Sequence, residues 1–287
     1  MTLDQLVPFV FESLPVRGAL IQLTRAWRRM QRDHDYDPLV RETLGHAAAA
    51  TGLIAHSLKF TGSVTLQMQG SGPLSMLVMQ ATSQLELRGM ATAPNPVGVQ
   101  RYPELFREAH CAITVDNGDQ PYQGIVEIGG ERLADSLEAY FDRSVQVPSH
   151  LVLLSNEAMA GGLLLQQMPG QLPLDHDDWR RLGFVSATLS AQELSDNSGI
   201  DMLRKLFAED DVRVFDPRSV GFRCRCSRRR AGEVLRMLGE AEVQGVVKEQ
   251  GRIEVTCEYC GERQRFDAID VSRLFVDNVV SGPKSVQ

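Results

Sequence analysis

Apolar positions change their period along the chain, and each change marks an element. From Asp37 onward Val40, Leu44, Ala47, Thr51, Ile54 and Leu58 recur at helical spacing, behind an Asp37-Pro38 start. Such a start supplies an N-cap carboxylate and a proline at the first helical position, and the spacing predicts a helix ending near Gly62. "GSVTLQMQG" then alternates, with Val64, Leu66 and Met68 on one face and Thr65, Gln67 and Gln69 on the other, a half-buried strand. "PLSMLVMQATSQLELRGMA" continues as one or two strands, and "CAITVDNGDQPYQGIVEIGG" as two strands around an Asn-Gly turn. Leu133, Leu137, Tyr140 and Phe141 mark a second amphipathic helix, and "SHLVLLSN" and "GGLLLQQMPG" two apolar strands. Strands come in runs instead of alternating strictly with helices, which predicts an α+β fold with a mixed, largely antiparallel sheet.

After "MPGQLP" the pattern breaks into two short helical stretches, "DDWRRLGFVSATLSAQEL" and "GIDMLRKLFAED", parted by Asp, Ser, Asn and Gly. From about Val220 a small cysteine-bearing module follows, with a strand in "GRIEVTCEYC" and a final helix in "DVSRLFVD". The expected organisation is an α+β core domain over 1–174, a helical linker over 175–219 and a zinc-binding module over 220–287.

Composition adds bounds to this picture. The 287 residues are 43% hydrophobic and 23% charged, an ordinary globular balance. No apolar run is long enough to span a membrane, and the N-terminal "MTLDQLVPFVFESLP" carries acids where a secretory signal carries cations. A cytoplasmic protein with no membrane association is expected. The net charge of −7 is uneven: from residue 223 onward twelve Lys and Arg meet ten Asp and Glu, a balance of +2 against −9 for residues 1–222.

Four of the five cysteines fall in two close pairs, Cys224 with Cys226 and Cys257 with Cys260, thirty residues apart. Four thiolates at this spacing suit one tetrahedral zinc ion, and a module so poor in large apolar side chains needs such a staple. "FRCRCSRRR" sets five arginines around the first pair. They read either as partners offsetting the −2 charge of a four-thiolate zinc site or as a phosphate-binding patch; the module's balance of +2 favours the first. Cys111 reads as a buried strand residue, Met68, Met76, Met79 and Met90 as core. His46, His56 and His110 lie in core-like segments without a catalytic grouping, so no enzyme is expected. The glycines of "QGSGP" and "EIGG" lack the Gly-Lys-Ser/Thr ending of a phosphate loop and read as turns.

"FRCRCSRRR" followed by "GRIEVTCEYCGERQRFDAIDV" resembles the zinc-binding end of the heat shock protein 33 family of redox-regulated chaperones. "VRG" at 16–18, "DPLVRETLGHAAAATGLIAHSLK", "YFDRSVQVPS" and "GGLLLQQMPG" resemble further segments in the family's order. "RQRF" departs from it, where the family more often has an aromatic near Gln264. The resemblance implies an ATP-independent holdase, inactive while its cysteines hold one zinc per chain. It implies activation by Cys224–Cys226 and Cys257–Cys260 disulfides, zinc release and unfolding of the module and linker. It also implies a homodimer and capture of unfolding client proteins. Trp179, Leu182, Phe184, Leu203 and Phe207 are the candidate client-binding residues, although their pattern alone equally describes helices packed on the core. Two rivals remain: a zinc-ribbon nucleic-acid binder using Arg228, Arg229 and Arg230, which the charge balance disfavours, and a thiol–disulfide oxidoreductase using Cys257 and Cys260, which lacks a thioredoxin-like βαβ context.

Overall fold

The computed structural model describes residues 4–118, 120–169 and 174–276, and the chain divides into two compact units between Arg223 and Cys224. The first unit opens with β1 (Gln5–Phe11), β2 (Val16–Leu23), α1 (Arg25–Gln31) and α2 (Pro38–Ser57). Then come β3 (Ser63–Gln69), β4 (Met76–Thr82), β5 (Glu86–Thr92), β6 (His110–Asp116) and β7 (Tyr122–Val126). α3 (Leu133–Tyr140), β8 (Ser149–Ser155) and β9 (Ala160–Gln167) follow. Next are α4 (His176–Ala187), α5 (Ala191–Asp196) and α6 (Gly199–Leu206), and the unit closes with the short strands β10 (Val212–Val214), β11 (Arg218–Ser219) and β12 (Gly221–Phe222).

Two sheets result. The first runs β10-β1-β2-β9-β8, with β11 also on β1, and every pairing in it is antiparallel. The second runs β12-β5-β4-β3-β6-β7 and is antiparallel except for the β12–β5 pair. The largely antiparallel α+β fold is therefore as the sequence predicts. Among the described residues no helix is long and apolar enough to cross a membrane.

α2 lies between the sheets, packing on β8 and β9 of the first and on β3, β4 and β5 of the second. Its start is the predicted one: Asp37 accepts from the Leu39 N–H at 2.9 Å, and its other oxygen accepts from Val97 N at 3.0 Å. It ends at Ser57, short of Gly62, where the Ser57 hydroxyl donates to the Ile54 carbonyl at 2.9 Å and Leu58 turns extended. Ala47, Ala48, Ala49 and Ala50 are all fully buried, because only small side chains let a helix approach two sheets at once.

The first sheet is apolar on both faces. Leu6, Ala19, Ile21 and Leu164 face the core that contains α2, while Val7, Phe9, Phe11, Leu20, Leu163 and Leu165 face α4–α6. The segment expected as a linker thus forms three helices, not two, and is folded onto this second face. Its "MPGQLP" approach spans residues 168–173, of which 170–173 lie outside the described residues. Phe207 packs against Phe9 and Phe11, with ring centroids 5.8 and 5.0 Å apart. Gln22 donates to the Leu194 and Asn197 carbonyls at 2.6 and 2.9 Å, and Arg181 grips Asp210 through two hydrogen bonds of 2.7 and 3.0 Å.

Three more expectations meet the structure here. Cys111 is fully buried, and burial pushes its thiol up to about 12. Met68, Met79 and Met90 are core residues. His110, by contrast, is exposed, because the alternation of β6 puts Cys111 inside and its neighbour outside.

Burial and, secondarily, the charge of Arg132 push His46 of α2 down to about 4 from 6.5. The folded unit resists protonation there, so this contribution to stability is complete above pH 6.5 and is lost as pH falls toward 4, reaching about 3 kcal/mol. In urea titrations His46→Gln should remove most of that acid loss between pH 7 and 4.5; an unchanged slope would reject the assignment.

Candidate metal centre

The second unit builds α7 (Arg228–Leu238), α8 (Glu240–Gln250), β13 (Arg252–Thr256), β14 (Arg263–Asp267) and α9 (Ala268–Val276). Among the described residues its core is six buried apolar side chains: Ala231, Leu235, Val243, Val247, Phe266 and Val271. Sequence periodicity leaves α7 and α8 unassigned, although Ser227 is an N-cap whose hydroxyl accepts from Arg230 N, and Leu235, Val243 and Val247 are the inward positions. The signal is weak because exposed apolar residues, Val234, Met237 and Leu238, blur the stripe on α7.

β13 and β14 pair antiparallel, Val255 opposite Gln264, and the connection between them carries the second cysteine pair. Cys257 N donates to the Glu262 carbonyl at 2.9 Å, and Gly261 N donates back to the Cys257 carbonyl at 2.8 Å. Gly261 has φ +68°, a left-handed conformation that glycine takes without a Cβ clash. The resulting knuckle aims both thiols to one side. Cys224 and Cys226 lie just ahead of the Ser227 cap, and the start of α7 sets where they emerge.

All four sulfurs lie within 4.8 Å of one another. Cys224 Sγ is 3.6 Å from Cys257 Sγ, and Cys226 Sγ is 3.4 Å from Cys260 Sγ. Zinc–sulfur bonds of about 2.3 Å require a sulfur tetrahedron with edges of about 3.8 Å. The cluster fits that requirement, so the four cysteines can hold a metal ion.

Burial raises all the shifted thiols, and the neighbouring sulfurs then divide them. At Cys224 burial is outweighed by hydrogen bonds from the Cys226 backbone and side chain and from Cys260 and Cys257, so the net shift is downward. Burial and the Cys224 charge push Cys226 up to about 11, and burial also raises Cys260. The sulfurs and their own backbone, not the arginines, are thus what lowers the Cys224 thiol.

The arginines take another role than the one read from the sequence. Three cations in the first turn of a helix oppose its dipole, so each needs a partner. Arg228 binds Asp270 at 2.7 Å and the Arg265 carbonyl at 2.6 Å, and stacks over Phe266 with its guanidinium 4.4 Å from the ring centre. Arg229 pairs with Glu233, and Arg230 donates to the Arg225 carbonyl at 2.6 Å. In the first unit Arg223 pairs with Glu86 at 2.6 Å. These contacts fasten elements together instead of standing as free charge around the thiols.

The client-binding candidates lie in the first unit and have different exposures. Leu182, Leu203 and Phe207 are buried in the cluster on the first sheet. Trp179 is half-buried and stacks on His150, ring centres 4.2 Å apart. Phe184 is 67% exposed, with Arg180 over its ring at 5.8 Å. Sequence reasoning missed the opposing face, whose signal is the run "LVPFVF" in β1.

The sequence model of the family described as Hsp33 protein matches residues 4–267. A 33 kDa chaperonin of Nitrosococcus oceani is 41% identical over 277 residues, covering 96% of each chain. Those of Methylobacillus flagellatus and Shewanella denitrificans are 37% and 36% identical, covering 96% and 100% of each chain. Among solved structures, the 33 kDa chaperonin (heat shock protein 33 homolog) of Thermotoga maritima superposes with a TM-score of 0.79 at 22% identity, covering 96% of this chain and 99% of that one.

The Arg228 contact with Phe266 is of a kind that contributes about 0.5–1 kcal/mol. Arg228→Ala should lower the midpoint at which the β13 and β14 amide signals disappear in an NMR thermal scan by about 2–8 °C. Arg229→Ala, which breaks only a local helix pair, should leave it within a degree or so. Equal effects would contradict the fastening role of Arg228.

Proposed function

The chain belongs to the Hsp33 family of chaperones, and from that premise we propose that it is a redox-regulated, ATP-independent holdase for proteins that unfold under oxidative stress. The observation that carries the reading is the cluster of four sulfurs within 4.8 Å, in a unit with six buried apolar side chains of its own. Cys224, Cys226, Cys257 and Cys260 would hold one zinc ion per chain, which supplies a tetrahedral staple. Structural zinc contributes roughly 10–16 kcal/mol of apparent binding free energy, against about 5–15 kcal/mol for the stability of a whole domain.

In this reading Cys224 pairs with Cys226 and Cys257 with Cys260 on oxidation. Each pair, as thiolates, would give two electrons to peroxide, which takes up two protons from solvent; one S–S bond forms, the O–O bond breaks and two waters leave. Sulfurs bound to each other no longer serve as thiolate ligands. The new loops enclose one and two residues, too short to restrict the unfolded chain as the metal staple restricts the folded one. Oxidation therefore favours unfolding of the second unit.

The chain runs back from Cys224 to α6 through β12, β11 and β10, which are two, two and three residues long. So little pairing is a weak anchor for α4–α6. If those helices leave the first sheet, Trp179, Leu182, Leu203 and Phe207 are uncovered together with Val7, Phe9, Phe11 and Leu20. Two complementary apolar surfaces then become available to an unfolding client. Phe184, exposed in the closed form, is the candidate for first contact. The proposed working form is a cytoplasmic homodimer. The ion pairs of Arg228 and Arg229 weigh against the nucleic-acid reading.

Zinc release and suppression of aggregation should rise together when the reduced, zinc-loaded chain meets peroxide or hypochlorous acid. Full suppression by the reduced form, unchanged by oxidant, would falsify the switch. Amide hydrogen exchange over residues 176–206 should accelerate after oxidation, and equal protection before and after would reject uncovering of the helices. Gly183 lies flat on the His150 ring, and a Cβ added there would sit 2.7 Å from it. Gly183→Val should therefore loosen α4 and give partial holdase activity without oxidant, read as slower light-scattering growth; a variant as inactive as the reduced parent would count against α4 as the cover.

A further inference from the structure

At the C-terminal end of α2 the two sheets part and leave a cleft of about 280 Å³. Its walls are apolar, with Ile54, Ile113, Val115 and Phe141 deep and Leu58 and Val145 at the rim. One end carries Arg17, Ser57 and Gln166, and these three also line an adjoining cavity of about 40 Å³, together with His56. The two spaces therefore lie side by side, with Arg17, Ser57 and Gln166 between them. A cleft of this size, with apolar walls and a few convergent polar groups, has the form of a small-molecule site.

The polar end is cationic and lacks a carboxylate. Arg17 donates to Gln166 Oε1 at 2.9 Å, and Arg218 donates to the Ser83 carbonyl at 3.0 Å. Arg218 also contacts His56 Nδ1 at 3.1 Å. A guanidinium only donates, so Nδ1 accepts and the proton of the neutral imidazole sits on Nε2. Among the described residues neither Arg17 nor Arg218 forms an ion pair, in a chain with 37 acidic residues. Burial first, then Arg218 and Arg17, push His56 down to about 4. The terminal carbonyls of α2 answer part of this positive charge, but Ser57 already donates to one of them at 2.9 Å.

We propose that the cleft at the end of α2 binds a small amphipathic oxyanion, its head held by Arg17 and the Nε2–H of His56 with Arg218 behind them, and its aliphatic part lying between the sheets. An oxyanion supplies the negative charge this end lacks, and only a ligand with an apolar body also fills the larger space. The site uses none of the four clustered cysteines.

Isothermal titration of the reduced full chain with decanoate, decanol and inorganic phosphate tests this. Decanoate should bind saturably at one site, at least tenfold tighter than decanol or phosphate. Arg17→Gln and Arg218→Gln should each weaken decanoate at least tenfold with the circular dichroism unchanged, and Val145→Glu at the rim should weaken decanoate but not phosphate. The His56 ring signals should titrate at higher pH when decanoate is bound. Decanol binding as tightly as decanoate would overturn the oxyanion head, and phosphate binding as tightly would overturn the apolar body. Absence of saturable binding, or affinity indifferent to both arginine variants, would overturn the site.

Discussion

A sheet with two apolar faces has to be covered twice, and the first unit is arranged around that demand. α2 covers one face of the first sheet with a run of four buried alanines, and α4–α6 cover the other with Leu182, Leu194, Met202, Leu203 and Phe207. The two covers are unequal. α2 is packed on both of its sides by sheets, so removing it would open the whole unit. α4–α6 touch a sheet on one side only, and each fully buried Leu or Phe there contributes about 1.5–3 kcal/mol. Local opening with a free energy well below that of global unfolding is what such a layer permits.

The second unit lives under a different constraint. Among the described residues six buried side chains, Phe266 one of them, make a core too small to order three helices and a hairpin without further help. The four thiols converge at the mouth of that hairpin and at the start of α7, so one metal ion would tie together segments far apart in the sequence. The arginines beside the thiols share the fastening work, with Arg228 joining α7 to Phe266 of β14 and Asp270 of α9. Chemistry at the sulfurs and stability of the unit are therefore the same property.

Much of this was legible beforehand, where local rules decide the outcome. The Asp37-Pro38 start and the alternation of Val64, Leu66 and Met68 carry their meaning within a few residues, and the structure has both; the paired cysteines come together in a cluster that could hold a metal ion. The helices α7 and α8 were not legible, because a small unit buries so few positions that its stripe is hidden by exposed Val234 and Met237. The arginines were misread for a related reason. Composition gives their charge, but Arg228 finds its partners, Asp270 and the Arg265 carbonyl, about forty residues away.

The sequence by itself determined the class of fold, the main strand and helix periods of the first unit and the two close cysteine pairs that could hold a metal ion, since all of these follow from spacing along the chain. Tertiary structure alone decided that the segment after residue 174 covers the second face of a sheet, and that Leu203 and Phe207 are concealed while Phe184 is not. It also decided that Arg17 and His56 line one cavity, with Arg218 in contact with His56. Burial and charge neighbourhood are properties of pairs brought together by folding, and an amphipathic stripe reads the same whether it is covered or bare.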